Sequence, residues 1–522
     1  MISALSSNQF AVNVTNAVSS YLHGEVLTPT WTWATAIPLL VVATFMYDFG
    51  SKYFRDRKLR HLGSPAQIIP FKAPLGVDVG IYSVYRLLKH TFFELMSSWI
   101  EDAPGRTCEM RMFAQGLIFT DEPANIKAFM SSKFDDFGKG DVTRKIWGNM
   151  LGDTQIFTID GEYWHKNKET LRPHVGKLRA NDLEVTEKHV QKLFGHFSAG
   201  KPVEMYDLID CFQLDVTTDV FFGESACSLT SEPPFRKQMD SLLPLNTARM
   251  LFGYKALWFS DTWIAPKALK ELNKYTNGVT DRAYARDLSK KVPEDYNMLD
   301  DLVSQKKNYK EIKEALMSIM LGGKDPSTIL ITWAIYLMGK HPNVMKKMQA
   351  EVEKVCGTRL PTATELKELT YVRHVINETF RLHHPLGLNV RVSFKDTTLP
   401  TGGGKNGKEP LAIQKGTTII YSLMGMQRRK DLYGEDADIF RPERWEESNI
   451  NRWHFIPYNH GPRMCMGRNF GQQQMEYILA RICQEFEEVR IPGGQREQQI
   501  KIELNTKMAH PCICEMVPKA KA

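Results

Sequence analysis

Two stretches of this sequence have residue types at spacings that suit redox chemistry. The first is YNHGPRMCMG, residues 458–467. A Gly-Pro turn leads to one cysteine, Cys465, and apolar periodicity characteristic of a helix begins just after it. Backbone N–H groups at a helix start favour a thiolate, and Arg463 adds a positive charge two residues away. Gly461 and Gly467 permit close backbone approach to a flat group. A thiolate ligand to iron needs such a setting, because N–H donors to sulfur keep it anionic without making it too basic. The second stretch is LGGKDPSTILITW, from Leu321, within a long apolar run. Pro326 has no N–H and crowds the carbonyl of Gly322, so the helix is expected to bend or open there. Gly322, Gly323 and Pro326 would form the opening.

These residues must be positioned by a mainly helical body. Apolar spacing predicts helices over 182–197, 208–222, Tyr309–Lys340, Pro342–Val355, 365–382 and 470–486. Strands are fewer: 113–119, 417–422 and 513–517, with TGGGKNG from Thr401 as a turn. The fold class is therefore mainly α with a small β part. Among 522 residues, 43% are hydrophobic and 24% charged, which excludes a disordered chain. No mid-chain linker or internal repeat divides the body. The net charge of +7 is mild, and no basic run alternates with aromatics in the manner of nucleic-acid binding. Eight cysteines without CxxC pairs fit buried thiols in a reducing compartment. Cys512 and Cys514 alternate so as to share one strand face.

The N-terminal region has a separate role. Residues 31–47 are uncharged, with aromatics at both ends, and Lys52, Arg55, Arg57, Lys58 and Arg60 follow. This predicts a lumenal 1–29, a transmembrane anchor over 30–48, a basic, proline-rich hinge over 49–75 and a cytosolic catalytic domain over 76–522. A cleaved signal peptide would have a basic start, which is absent. Asn13 heads a glycosylation triplet on the lumenal side.

The cysteine loop resembles the haem-binding loop of the cytochrome P450 superfamily, Phe-x-x-Gly-x-Arg-x-Cys-x-Gly. Gly461, Arg463, Cys465 and Gly467 match, while Tyr458 replaces the phenylalanine and adds a hydroxyl near the sulfur. NETFR resembles the family's Glu-x-x-Arg pair in Glu378 and Arg381, and FRPERW supplies its third member, Arg444. YWHKNKETLRPHV resembles the Trp-x-x-x-Arg helix, with Trp164 kept and Lys168 in place of arginine. Arg391 matches a propionate-binding arginine. The central helix departs from the family pattern, since Pro326 occupies the usual threonine position.

The resemblance implies the cytochrome P450 fold and haem b with Cys465 as axial iron ligand. Trp164, Lys168, Arg391, Tyr458, Arg463 and Gly467 would surround the cofactor. Glu378, Arg381 and Arg444 would form a structural trio. The reaction implied is insertion of one oxygen atom from O2 into a C–H bond of a lipophilic substrate, with Asp325, Ser327 or Thr328 supplying protons. Only 57 residues follow Cys465, so electrons from NADPH are expected through a separate cytochrome P450 reductase. The location implied is the endoplasmic reticulum membrane.

MLGDTQIFTIDGEYW, SFKDTTLPTGGGKNGKEP and GTTIIYSLMGMQRRKDLYGEDADIFRPERW resemble the fungal branch that hydroxylates alkanes and fatty acids. Leu386 and Leu388 would line the substrate channel. HHPLGLNVR follows that branch only in part, which leaves a secondary-metabolite oxidase acting on a polyketide or terpenoid as the alternative. The lost threonine also admits an isomerase or dehydratase of hydroperoxides. A haem protein that only senses or carries a ligand is the third class, and no residue pattern points to it.

Overall fold

The computed structural model describes residues 29–112, 115–179, 181–198, 200–252, 264–292, 296–447 and 449–520. Asn13 lies outside them. The central helix Tyr309–Lys340 organises the body. Asn308 and Glu311 close a capping box at its start, satisfying N–H groups that would otherwise lack partners. Most of its residues are buried, including both sides of the GGKDP segment, so it is hydrophobic nearly all round rather than on one stripe. The helix runs through Pro326 as one element, not two. Proline removes one backbone bond there, and packing on every side holds the remaining turns.

Helix Met205–Phe222 packs along the central helix, with Thr217 against Gly323: a Cβ built at Gly323 would lie 2.8 Å from the Thr217 methyl. Helices Pro342–Val355, Thr370–Leu382 and Arg468–Glu485 pack around it as well. The predicted helix over 365–382 is two, Ala363–Glu368 and Thr370–Leu382, parted at Leu369. Thr362 and Glu365 start the first with their own capping box, a local signal that outweighs the shared apolar spacing.

The largest sheet has six strands, in the order Gln67–Ile68, Thr107–Met112, Gln115–Thr120, Thr418–Ser422, Leu388–Ser393 and Phe137–Gly138. Leu388 pairs with Ser422 and Arg391 with Ile419, which fixes Arg391 in the body's interior. A hairpin, Ile500–Ile502 with Thr506–Met508, brings its turn against the central helix. Cys512 and Cys514 share a face of strand Ile513–Pro518 or its approach, with sulfurs 3.7 Å apart.

The N-terminal helix Pro29–Leu59 presents exposed Ile37, Leu40, Phe45 and Met46. No helix among the described residues is long and apolar enough to cross a membrane.

Candidate haem site

The cysteine loop is built from backbone constraints. Gly461 has φ +68°, and a Cβ there would lie 1.9 Å from the Met130 carbonyl oxygen, so only glycine fits. The Cys465 N–H donates to the Tyr458 carbonyl at 2.8 Å, folding the loop back on itself. Helix Arg468–Glu485 follows at once. Cys465 is an exposed residue of the loop. Burial raises its thiol above the ordinary range, and the Gly467 N–H and Arg468 act in the opposite direction. Arg468 is therefore the cation that acts on the sulfur. Arg463 instead turns away, donating to Asp160 at 2.6 Å and to the Ile159 and Ile156 carbonyls.

Tyr458 shields the loop with its ring, edge-on to Phe380 at 5.0 Å. Its hydroxyl donates to Gln472 Oε1 at 2.8 Å, so it is engaged by the next helix rather than by the sulfur. Gln472 then donates to Glu476, and Arg373 pairs with the same carboxylate.

The acid–arginine trio comes together as spaced. Arg381 donates through Nε and a terminal nitrogen to both oxygens of Glu378, at 2.9 and 2.8 Å, and Arg444 approaches at 3.4 Å. All three are essentially inaccessible. Trp445 Nε1 and the Arg441 N–H also donate to Glu378. The link to the cysteine loop runs through Gln427. Arg381 donates to the Gln427 carbonyl, and Gln427 Oε1 accepts from the Ile456 N–H at 2.9 Å. His384 bonds the Ile456 carbonyl, two residues before Tyr458.

Around the cysteine loop stands a concentration of positive charge. Arg463 lies over the Trp164 ring at 4.5 Å. Lys168 also lies over that ring, at 5.0 Å, and donates to the Pro462 carbonyl at 2.7 Å, clamping the loop. Arg391 is 1% exposed and has no carboxylate partner among the described residues. Lys139, which sequence reasoning did not single out, faces both arginines; burial, then Arg391 and Arg463, push its ammonium well below the ordinary lysine range. The Nε atoms of Arg391 and Arg463 are buried without a protein acceptor. An exposed cysteine beside buried guanidinium donors that the protein leaves unsatisfied fits an iron porphyrin with two carboxylates.

On the central helix, Asp325 is buried and enters a charge network. Lys324, 1% exposed, lies 2.8 Å from Asp325 and 2.5 Å from Asp210, which also accepts from Arg236 at 2.8 Å. Asn505, in the hairpin turn, donates to Asp325 at 3.0 Å. Burial holds the Asp325 carboxyl above the usual range despite Lys324. Thr328 is fully buried with no hydroxyl partner, while Ser327 points toward Gly471 on the helix after the cysteine. Phe157 packs on Gly322, where a Cβ would meet its ring at 3.0 Å. Leu386 and Leu388 are half-buried at the start of the Arg391 strand. Sequence spacing missed Lys324 and Phe157, which become significant only when distant segments meet.

The cytochrome P450 family model matches residues 80–509. Among curated proteins, the chain is 31% identical to cytochrome P450 monooxygenase pvhE of Talaromyces variabilis, covering 87% of this chain and 90% of that protein. It is 30% identical to cytochrome P450 52A1 of Candida tropicalis, covering 87% and 88%. Cytochrome P450 52E1 of Candida apicola is 29% identical, covering 87% and 91%.

Proposed function

The chain belongs to the cytochrome P450 family, and from that premise we propose that it is a membrane-anchored monooxygenase hydroxylating an aliphatic chain, an alkane or fatty acid. The observation behind the oxygen chemistry is the exposed Cys465 near Arg391, a buried cation with no carboxylate partner among the described residues, and Arg463, whose Nε is left unpartnered. Haem, when bound, supplies O2 activation, with electron density from the thiolate. Cys465 would hold the iron, Arg391 and Arg463 beside Trp164 would face the cofactor's carboxylates, and Lys168 would hold the loop at Pro462. Tyr458 covers the sulfur's surroundings, and Glu378, Arg381 and Arg444 hold the loop through Gln427. Asp325 keeps a proton more readily than an exposed aspartate, and Thr328 offers an unpartnered hydroxyl one turn on. Together they take the place of the threonine that Pro326 removes, with Ser327 adjacent and Gly322 left with a free carbonyl.

The aliphatic substrate rests on the three stretches that resemble the fungal hydroxylase branch. Leu386 and Leu388 would flank the chain, which binds by burial at about 0.8 kcal/mol per methylene. Electrons would come from NADPH through a separate reductase. The uncharged run over 31–47 followed by cations supports an anchor over 30–48 in the endoplasmic reticulum membrane, with 1–29 lumenal, Asn13 glycosylated, 49–75 as hinge and 76–522 cytosolic. The partial match at HHPLGLNVR supports a second reading, a tailoring oxidase of polyketides or terpenoids. Membranes holding this chain and a reductase, given NADPH, labelled O2 and a panel of alkanes and fatty acids, test the proposal. Labelled alcohol is expected. NADPH-independent turnover of a fatty-acid hydroperoxide, without labelled alcohol, would replace it by the rearrangement reading.

A further inference from the structure

The family's tryptophan helix ordinarily carries an arginine where this chain has Lys168. That ammonium is already spent on the Pro462 carbonyl at 2.7 Å and on the Trp164 face. A short side chain fixed in that way leaves one cofactor carboxylate short of a cation. The structure supplies another from a different segment. Lys139 stands just before helix Gly140–Leu151. Its backbone N–H and that of Gly140 donate to Asp160, the same carboxylate that accepts from Arg463. Asp160 therefore ties the Lys139 turn to the cysteine loop. The Lys139 ammonium reaches Asn389 Oδ1 at 3.3 Å and has no carboxylate within ion-pair distance among the described residues.

Charge balance points the same way. Lys139, Arg391 and Arg463 face one another, with Asp160 as the one acid acting on them directly. Three basic side chains share one carboxylate, which leaves them short of anions in a partly buried space. Like charges held together out of water are unfavourable unless anions join them. A porphyrin with two carboxylates brings the matching charge. The unpartnered Nε atoms of Arg391 and Arg463 show that these donors are not saturated by protein.

We propose that Lys139 binds a haem propionate and takes the role that the arginine missing at position 168 would have had. Lys168 then acts as a clamp on the cysteine loop. This rests on the family's haem and not on the identity of the substrate, so failure of the hydroxylation reading leaves it intact.

The test uses purified holoenzyme as wild type, Lys139→Met and Lys139→Arg. Haem transfer to excess apomyoglobin gives the release rate, and a spectroscopic redox titration gives the ferric–ferrous midpoint. Lys139→Met is expected to release haem about tenfold faster, equal to about 1.4 kcal/mol, with a lowered midpoint because one fewer cation favours the ferric state. Lys139→Arg should stay close to wild type in both. With haem dimethyl ester in place of haem, the difference between wild type and Lys139→Met should vanish. Wild-type release and midpoint in Lys139→Met, or equal impairment of Lys139→Arg, would overturn the proposal in favour of a packing role. Should Lys139→Met fail to accumulate folded, the midpoint of Lys139→Arg decides: retained supports the proposal, lowered overturns it.

Discussion

Lys324→Met removes the one cation lying between Asp210 and Asp325. The ammonium is 2.5 Å from one carboxylate and 2.8 Å from the other, and the side chain is 1% exposed. Deleting one partner of a buried ion pair costs about 3–5 kcal/mol. Two relaxations place this case near the lower end. Arg236 still pairs with Asp210 at 2.8 Å. Asp325 can take up a proton, since burial already holds its carboxyl above the usual range. Unfolding entropy of about 2.1 cal/mol/K per residue gives roughly 1 kcal/mol/K for this chain, so Tm should fall by about 3 °C. The pH dependence follows from the signs. Lys324 is raised above an ordinary lysine, so its stabilisation is complete below the unfolded lysine value and is lost only as pH rises through the folded one. It is constant between about pH 5 and about pH 8. In the variant, Asp325 loses its cation and its folded pKa rises further. A carboxylate raised in this way costs nothing below its unfolded value, and its cost grows until pH passes the folded value. The Tm gap between wild type and Lys324→Met should therefore be larger at about pH 8 than at about pH 5. Thermal melts of both holoproteins at the two pH values measure it. An equal gap at both, or no gap at all, would refute the reasoning.

Three further outcomes are expected. Gly461→Ala places a Cβ 1.9 Å from the Met130 carbonyl at φ +68°, so haem content per purified protein should drop sharply while far-UV circular dichroism changes little. Glu378→Gln leaves Arg381 buried without a counter-charge, while Arg444 keeps Asp436 at 2.9 Å, at a cost of about 3–5 kcal/mol, and soluble holoprotein yield should collapse. Tyr458→Phe loses only the bond to Gln472, worth about 1 kcal/mol, and because the hydroxyl is engaged there the haem midpoint should barely move; a large shift would mean that the hydroxyl acts on the sulfur.

The elements legible in the sequence were those with strong local signals. The central helix was readable at both ends because its capping box and apolar spacing coincide. The cysteine loop and the trio Glu378, Arg381 and Arg444 were readable because a resemblance supplied distances between segments that periodicity cannot. The split at Leu369 was missed because both helices share one apolar phase. The run through Pro326 is one helix rather than two, since tertiary packing holds an element that propensity alone would divide. The Tyr458 hydroxyl and Arg463 were placed near the sulfur from the sequence, but their hydrogen-bond partners were not legible there. Gln472 and Asp160, brought in by folding, take them elsewhere. Lys139 and Lys324 carried no local signal; their surroundings arise from contacts with segments far along the chain. The anchor over 30–48 was read from hydropathy and flanking charge, and no helix among the described residues supplies the full span.

The central claim is that Cys465 holds haem iron through its sulfur. Resonance Raman of the ferric protein, grown with ordinary or heavy-sulfur cysteine, tests it directly. An iron–sulfur stretching band that moves to lower frequency with heavy sulfur, and is lost in Cys465→His, is predicted. A haem spectrum without a sulfur-sensitive band, or one that survives in Cys465→His, would contradict the account.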